Sequence, residues 1–260
     1  EKIINTLEVT GPSALVKIYD RMTNNFEFTV IKKHGNTKRT KIFTNKEKLL
    51  SLVRSSNANE RESAYKALFK TYEKNSGVLG EIYQNLVTQW RDENISIRGF
   101  KSPISVRNIH NNIDDTTVET LLAVCKENAH LFHDYFIEKA KLIGMKKLRR
   151  YDLYAPISSK NIPKFTFKNA TRLVLDTFHK FDPSFALYTE RLCKENHIDS
   201  EIRNGKTGGA FCYTVTPKRT PYVLLNFDGM MRDVSTMAHE FGHAIHSMYA
   251  SDKPILVSHA

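Results

Sequence analysis

Residues 239–251 have the sequence His-Glu-Phe-Gly-His-Ala-Ile-His-Ser-Met-Tyr-Ala-Ser, which begins with an H-E-x-x-H motif. On a helix, residues four apart lie about 40° apart around the axis and about 6 Å apart along it. The imidazoles of His239 and His243 are therefore expected to project side by side. We predict that these two histidines are ligands of one metal ion.

Glu240 follows the first histidine and is turned about 100° away from it around a helix. It is thus poorly placed to bind the same ion, but it can face a water molecule on that ion. Zinc lowers the pKa of a bound water to about 7, so that a neighbouring carboxylate can take its proton. The motif therefore predicts a peptide-hydrolysing Zn²⁺ site with Glu240 as general base. The alternative is that His239 and His243 are hydrogen-bonded core histidines.

The residues around the motif favour a helix with one buried face. Asp233 is a candidate N-cap, and Gly242 predicts close approach of another element. His246 lies too far along a straight helix to share the ion, and it is expected to pack or to support a ligand. The predicted buried face follows helical spacing and comprises Val234, Met237, Ala238, Phe241, Ile245 and Met248.

Composition limits the class of protein. The 260 residues are 40% hydrophobic and carry a net charge of +11. The basic residues are scattered, so a nucleic-acid-binding protein is only a remote alternative. Three widely spaced cysteines indicate reduced thiols and a cytoplasmic protein. No apolar run is long enough to span a membrane, and we expect no membrane partner.

The chain is predicted to contain two domains, with a boundary near Gly99–Pro103. Residues 1–100 form a helix–hairpin–helix domain, with a helix at 12–24, a hairpin between Phe26 and Phe43, and a helical segment at 60–92 that is one helix or two divided near Gly77 and Gly80. Residues 101–260 form the N-terminal portion of a catalytic domain. The most regular helix of the chain is predicted to run from Thr116 to Gly144, with an apolar stripe that is expected to pack in the core rather than to bind a cofactor.

A glycine-rich loop, Gly205–Ala210, leads into a predicted hairpin before the motif. Its second strand, residues 222–227, is expected to be an exposed edge that pairs with the backbone of an extended peptide. The loop is not a phosphate-binding loop, because that pattern needs glycine where Ser200 stands. The candidate substrate-binding residues are Gly208, Gly209, Tyr222 and Leu224.

Several segments together resemble the oligoendopeptidase F family of thimet-oligopeptidase-like zinc metallopeptidases. They are Tyr151–Pro156, Gly205–Tyr213, Tyr222–Phe227, and Arg232-Asp233 leading into His239–Ser251. The resemblance implies a mainly α, clam-like zincin-type oligopeptidase fold with small β-hairpins. It also implies a cytoplasmic zinc metalloendopeptidase that cleaves short, unstructured oligopeptides, with His239 and His243 on zinc and Glu240 as base.

The resemblance further implies a third ligand, a glutamate on the helix after the motif, and later Tyr and His residues that stabilise the oxyanion. The only acidic residue after His243 is Asp252. We therefore expect a chain truncated before the end of the catalytic domain. The alternative function is a catalytically inactive fragment that binds peptide or metal weakly.

Overall fold

The computed structural model describes residues 2–34, 37–157 and 163–255. Helices dominate these ranges, which confirms the predicted mainly α fold. The helices are α1 Lys2–Thr10, α2 Pro12–Asn24, α3 Lys46–Ser51, α4 Ala58–Lys74, α5 Ser76–Arg91, α6 Pro103–His110, α7 Asp115–Glu127, α8 Ala129–Leu142, α9 Phe167–Phe181, α10 Pro183–Lys194 and α11 Met231–Tyr249. Within these ranges, no helix combines the length and the apolar character needed to cross a bilayer.

The strands form two small sheets. The predicted N-terminal hairpin is present as β1 Phe28–His34 and β2 Thr37–Phe43, which pair antiparallel. The second sheet contains β3 Ile198–Asp199, β4 Phe211–Tyr213 and β5 Tyr222–Leu224. Its strand order is β3-β5-β4, with β3 parallel and β4 antiparallel to β5. Strand β3 was not expected from the sequence, because two residues are too short for a recognisable alternation.

Packing divides the chain into two compact units. The first comprises Glu1–Phe43 and Leu52–Ser158, and the second comprises Thr44–Ser51 and Ser159–Ala260. Helix α3 therefore packs with the C-terminal part of the chain, although its neighbours in sequence belong to the first unit. The domain boundary near residue 100 stays a prediction.

The first unit is built around α4, which packs on β1. Phe28 and Val30 are completely buried there. Arg61 on α4 forms an ion pair of 2.8 Å with Asp152, and both side chains are almost inaccessible to solvent. Burial raises the pKa of Asp152, but hydrogen bonds from Arg149 and Arg61 lower it by more, so the net shift is downward. The pair therefore stays ionised inside the unit.

The long helix predicted from Thr116 to Gly144 is wrong, because α7 and α8 are separated at Asn128. The Asn128 side chain donates to the carbonyl of Val124 at 2.8 Å, which satisfies one carbonyl at the end of α7. Within the described chain, Ala140 of the predicted stripe is buried, but burial of the larger side chains is wrong. Leu122 and Phe132 are each 61% exposed.

The second unit has its core around α11, which packs on α9, α10, β4 and β5. Helix α10 begins at Asp182-Pro183, with the residue types of an N-cap followed by proline in the first turn, and the Asp182 carboxylate accepts from the amide of Ser184 at 2.8 Å. The core residues are Ala170, Val174, Leu192, Val223, Leu225, Val234, Met237, Phe241, Ala244 and Met248. The H-E-x-x-H motif thus lies on the central helix of this unit.

Candidate metal centre

The helix that carries the motif begins earlier than predicted. Its N-cap is Met230, and Asp233 occupies the third helical position, so the prediction of Asp233 as N-cap is wrong. The Asp233 carboxylate accepts from the amides of Met230 at 2.9 Å and Asp228 at 3.0 Å. A carboxylate in the first turn also opposes the positive end of the helix dipole. The residue stabilises the helix start, but from inside the first turn.

The buried face of α11 fixes the rotation of the helix. Five of the six predicted residues are buried, Ala238 is half-buried, and Ala244 joins them. Burial of each large apolar side chain contributes about 1.5–3 kcal/mol, so rotating this face into solvent would be costly. The opposite side of the helix, with His239 exposed and His243 half-buried, therefore faces away from the core.

The two histidines converge. Their Nε2 atoms lie 3.2 Å apart, and the rings meet edge to face with centroids 4.7 Å apart. Within the described ranges, neither ring has another hydrogen-bond partner. The interpretation as core histidines bonded to surrounding protein is therefore wrong. His246 is exposed one turn further on.

This geometry fits two ligands of one ion. Two nitrogens that are each about 2.0–2.1 Å from a tetrahedral zinc ion lie about 3.3–3.4 Å apart. The observed separation of 3.2 Å is close to that value. Among residues 2–34, 37–157 and 163–255, however, no cluster of three or more His, Cys, Asp or Glu side chains could hold a metal. The described residues thus fit two positions of a metal centre.

Glu240 lies between the histidines and the core. It is only 7% exposed, and in the described part of the chain no hydrogen bond or ion pair ends on its carboxylate. Its negative charge acts electrostatically on the thiol of Cys212 on β4. Burial first, and the charge of Glu240 second, raise the pKa of the Cys212 thiol to about 11. The thiol is therefore protonated at neutral pH, and Glu240 keeps its oxygens available for another donor.

The hairpin that precedes α11 differs from the prediction in its strand order. Strand β5 lies between β3 and β4, so the prediction that residues 222–227 form an exposed edge is wrong. The reason is that β3, which the sequence did not reveal, occupies one side of β5. Within the described chain β4 is an edge strand, with β5 on one side only.

The candidate substrate residues on β5 lie on the face of the sheet opposite the core. The register places Tyr222 opposite Tyr213 and Leu224 opposite Phe211, on the sheet face away from the core. The Tyr222 ring stacks on His197 with centroids 4.1 Å apart. Cys212 and its partner Val223 point to the other face, which packs on α11. The substrate roles of Tyr222 and Leu224 stay predictions.

The glycine-rich loop is held by protein contacts. The Lys206 ammonium donates to the carbonyls of Asp199, Glu201 and Leu225 and to the Asp199 carboxylate, at 2.7–3.0 Å. It is therefore not available to a phosphate, which agrees with the rejection of a phosphate-binding loop. The Gly209 amide donates to Glu47 at 3.1 Å.

The close approach predicted at Gly242 is wrong. Within the described residues, no atom outside the local helix lies within 4 Å of the position that a Cβ would occupy there. Gly242 is half-buried, and in the described part of this unit no second element packs against it.

Sequence reasoning missed Cys212 and Glu47. The alternation of Phe211, Tyr213 and Val215 already placed Cys212 on the opposite face of the strand, so its position was predictable. The approach of Glu47 to a loop 162 residues away had no local signal.

Several known proteins are similar to this chain. An oligoendopeptidase F homolog from Borreliella burgdorferi (strain ATCC 35210 / DSM 4680 / CIP 102532 / B31) is 26% identical over 238 residues, which cover 90% of this chain and 38% of the relative. Oligopeptidase PepF from Bacillus subtilis (strain 168) is 23% identical over 249 residues, covering 95% of this chain and 34% of that protein. The chain thus spans little more than a third of these relatives. The predicted resemblance to oligoendopeptidase F is confirmed.

The fold is also found in solved structures. A crystal structure from Bacillus anthracis str. Ames, provisionally named an oligoendopeptidase F, matches with a TM-score of 0.76 at 20% identity. The match covers 95% of this chain and 44% of that one. PZ peptidase A with an inhibitor matches with a TM-score of 0.74 at 19% identity, over 90% of this chain and 41% of that one. The predicted helical oligopeptidase fold is therefore confirmed.

The family model for peptidase family M3 matches residues 51–260. This range includes the glycine-rich loop, both strands of the second hairpin and the whole of α11. Because the match covers about four-fifths of the sequence, the chain belongs to peptidase family M3.

Proposed function

We propose that this chain carries the motif-bearing part of a zinc-dependent endopeptidase that hydrolyses short, unstructured oligopeptides. The observation that carries the proposal is the approach of two Nε2 atoms to 3.2 Å on a helix where the next residue, Glu240, is 7% exposed and has no hydrogen-bond or ion-pair partner in the described chain. Membership of peptidase family M3 and similarity to named oligopeptidases support the substrate class.

His239 and His243 would hold the metal through Nε2, and a ligand from elsewhere in the whole protein would complete the set. A bound zinc ion would supply Lewis-acid polarisation of the scissile carbonyl. The chain's own contribution is positional, because the buried face of α11 fixes where both rings point. The two imidazole rings are therefore already oriented before substrate binds.

Glu240 would act as general base and then as general acid. Its carboxylate takes a proton from the attacking water and passes a proton to the nitrogen of the leaving amine. With no donor from the described chain bound to it, the carboxylate keeps its lone pairs free for that water. The protonated Cys212 thiol beside it adds no second negative charge.

The backbone of β4 would hold the substrate. An extended peptide can add to an edge strand through main-chain hydrogen bonds, which bind without regard to side chains. Gly208 and Gly209 stand directly before this strand, and we keep them as proposed substrate-side residues. Strand β4 replaces β5 in this role, because β5 is paired on both sides.

We place the reaction in the cytoplasm. All three cysteines are free thiols, which is typical of proteins in reducing compartments.

The test is Glu240→Gln in the intact protein. We expect bound zinc to be unchanged and cleavage of a fluorogenic peptide to fall by about 10²–10⁴-fold, the usual contribution of general acid–base catalysis. Glu190→Gln, on the exposed side of α10, is the matched control and should cleave at the wild-type rate. Wild-type cleavage by Glu240→Gln would refute the mechanism, and wild-type protein that holds zinc without cleaving peptide would indicate the inactive binding alternative.

A further inference from the structure

Helix α3 is tied to the loop region that precedes β4. Asn45 caps the helix through its Oδ1, which accepts from the amides of Glu47 at 2.8 Å and Lys48 at 3.3 Å. Its Nδ2 donates to the carbonyl of Arg203 at 2.8 Å. Leu49, one turn later, is completely buried. The position of α3 is therefore fixed from both its cap and its apolar side.

Glu47, in the first turn of α3, reaches the glycine-rich loop. Its Oε1 accepts from the Gly209 amide at 3.1 Å. The same oxygen lies 2.5 Å from the position that a Cβ on residue 208 would occupy. A Cβ on residue 208 would therefore displace the end of the Glu47 side chain from the Gly209 amide. Gly209 has φ +80°, a conformation that favours glycine.

The loop is also held from the other side by Asn226, which follows β5. Its Nδ2 donates to the carbonyls of Thr207 at 3.0 Å and Gly209 at 2.8 Å. Glu47 takes the N–H of Gly209 and Asn226 takes its C=O, so both polar groups of that residue are bonded two residues before β4 begins.

The far end of β4 is attached to α11. Thr214, directly after the strand, and the buried Ser247 have hydroxyl oxygens 2.6 Å apart. Ser247 lies one turn beyond His243 on the motif helix. The edge strand is thus anchored at one end to the motif helix and at the other to Glu47 and Asn226.

We propose that Glu47 is a positioning residue that sets the place of the β4 edge and so determines how tightly substrate backbone binds. The inference rests on the proposed function, because it concerns the strand that would pair with the peptide. Glu47 touches no reacting atom and acts through Gly208 and Gly209. An added strand needs donors and acceptors at fixed spacing, so displacement of β4 weakens several hydrogen bonds at once.

The first experiment compares Glu47→Ala, Glu47→Gln and Lys48→Ala in the intact protein. Glu47→Ala loses a charge-assisted hydrogen bond, and we expect KM for a fluorogenic peptide to rise about tenfold with kcat and zinc content unchanged. Glu47→Gln keeps an acceptor oxygen and should remain within about twofold of wild type. Lys48→Ala changes an exposed residue of the same helix and should have no effect. Unchanged KM in Glu47→Ala would overturn the proposal.

A second experiment uses the contact at Gly208. Gly208→Ala should raise KM in the wild-type background, because its Cβ would push the Glu47 carboxylate away from the Gly209 amide. In the Glu47→Ala background the obstacle is gone, so the double variant should be no worse than Glu47→Ala alone. Independent, additive effects of the two changes would contradict the proposed contact.

Amide hydrogen exchange separates this inference from the proposed function, because it needs no peptidase activity. The Gly209 amide should exchange faster in Glu47→Ala, by about tenfold, and at the wild-type rate in Lys48→Ala. An unchanged rate at Gly209 would overturn the role of Glu47 even in an active enzyme. Absence of peptide cleavage by wild-type protein, with the faster exchange present, would overturn only the proposed function.

Discussion

Lys206 and Glu240 are equally buried, at 7% exposure, yet their surroundings differ completely. The Lys206 ammonium has four protein acceptors, three of them backbone carbonyls. The Glu240 carboxylate has no hydrogen-bond or ion-pair partner in the described chain. Burying a charge costs free energy unless partners replace water. A buried charge whose partners are all provided supports the fold, whereas one left without partners marks a place where a ligand or substrate is expected.

The largest effect on stability is expected when the Lys206 ammonium, which has four acceptors in the protein, is removed. We expect Lys206→Met to lower the free energy of unfolding by about 1.5–3 kcal/mol, because the carbonyls of Glu201 and Leu225 lose the ammonium donor while Asp199 keeps Arg203 as a partner. Denaturant unfolding measures the change. Lys194→Met, at an exposed lysine of α10, is the control and should change stability by about 0.5 kcal/mol or less. A loss below about 1 kcal/mol for Lys206→Met would show that these bonds stabilise little.

Lowering the pH protonates Asp199, the acidic partner of Lys206, and so measures how much the ionised carboxylate stabilises the fold. The hydrogen bond from Arg203 lowers the pKa of Asp199, burial raises it, and Lys206 lowers it again, so that the net value falls from 3.8 to about 2. A lowered pKa in the folded state means that the ionised carboxylate stabilises the protein above pH 3.8 and that this stabilisation is lost as pH falls through about 2.

The measurement is the thermal midpoint of wild type and Asp199→Asn as a function of pH. The variant should be less stable at pH 7, and the gap should close between pH 3.8 and about 2. Because the Asp199 side chain is 40% exposed, solvent screens the pair and the effect should be smaller than that of Lys206→Met. A gap that is constant down to pH 2 would contradict the assigned shift.

The smallest effect on stability is expected for a change at Glu240, beside the two histidines. Glu240→Gln should change the free energy of unfolding of metal-free protein by no more than about 1 kcal/mol, because the side chain has no hydrogen-bond or ion-pair partner in the described chain to lose. Denaturant unfolding with a chelator present tests this. A loss above about 2 kcal/mol would mean that Glu240 has a structural partner, as Lys206 has.

Local pattern determined much of this protein. The period of the apolar residues set α11 and its buried face, and four-residue spacing then brought His239 and His243 together, because both properties depend only on helix geometry. The same holds for the start of α10, where Asp182 and Pro183 act within one turn. Alternation likewise gave the N-terminal hairpin.

Only the tertiary structure decided what surrounds that helix. The position of β5 between β3 and β4, the burial of Glu240 without a partner, and the packing of Glu47 against Gly208 and Gly209 all join segments far apart in the sequence. Such contacts depend on how the helices and strands pack against one another, and the local periodicity of the sequence does not predict that packing. The sequence by itself therefore determined the pair of histidines, whereas the fold decided which strand edge and which carboxylates accompany them.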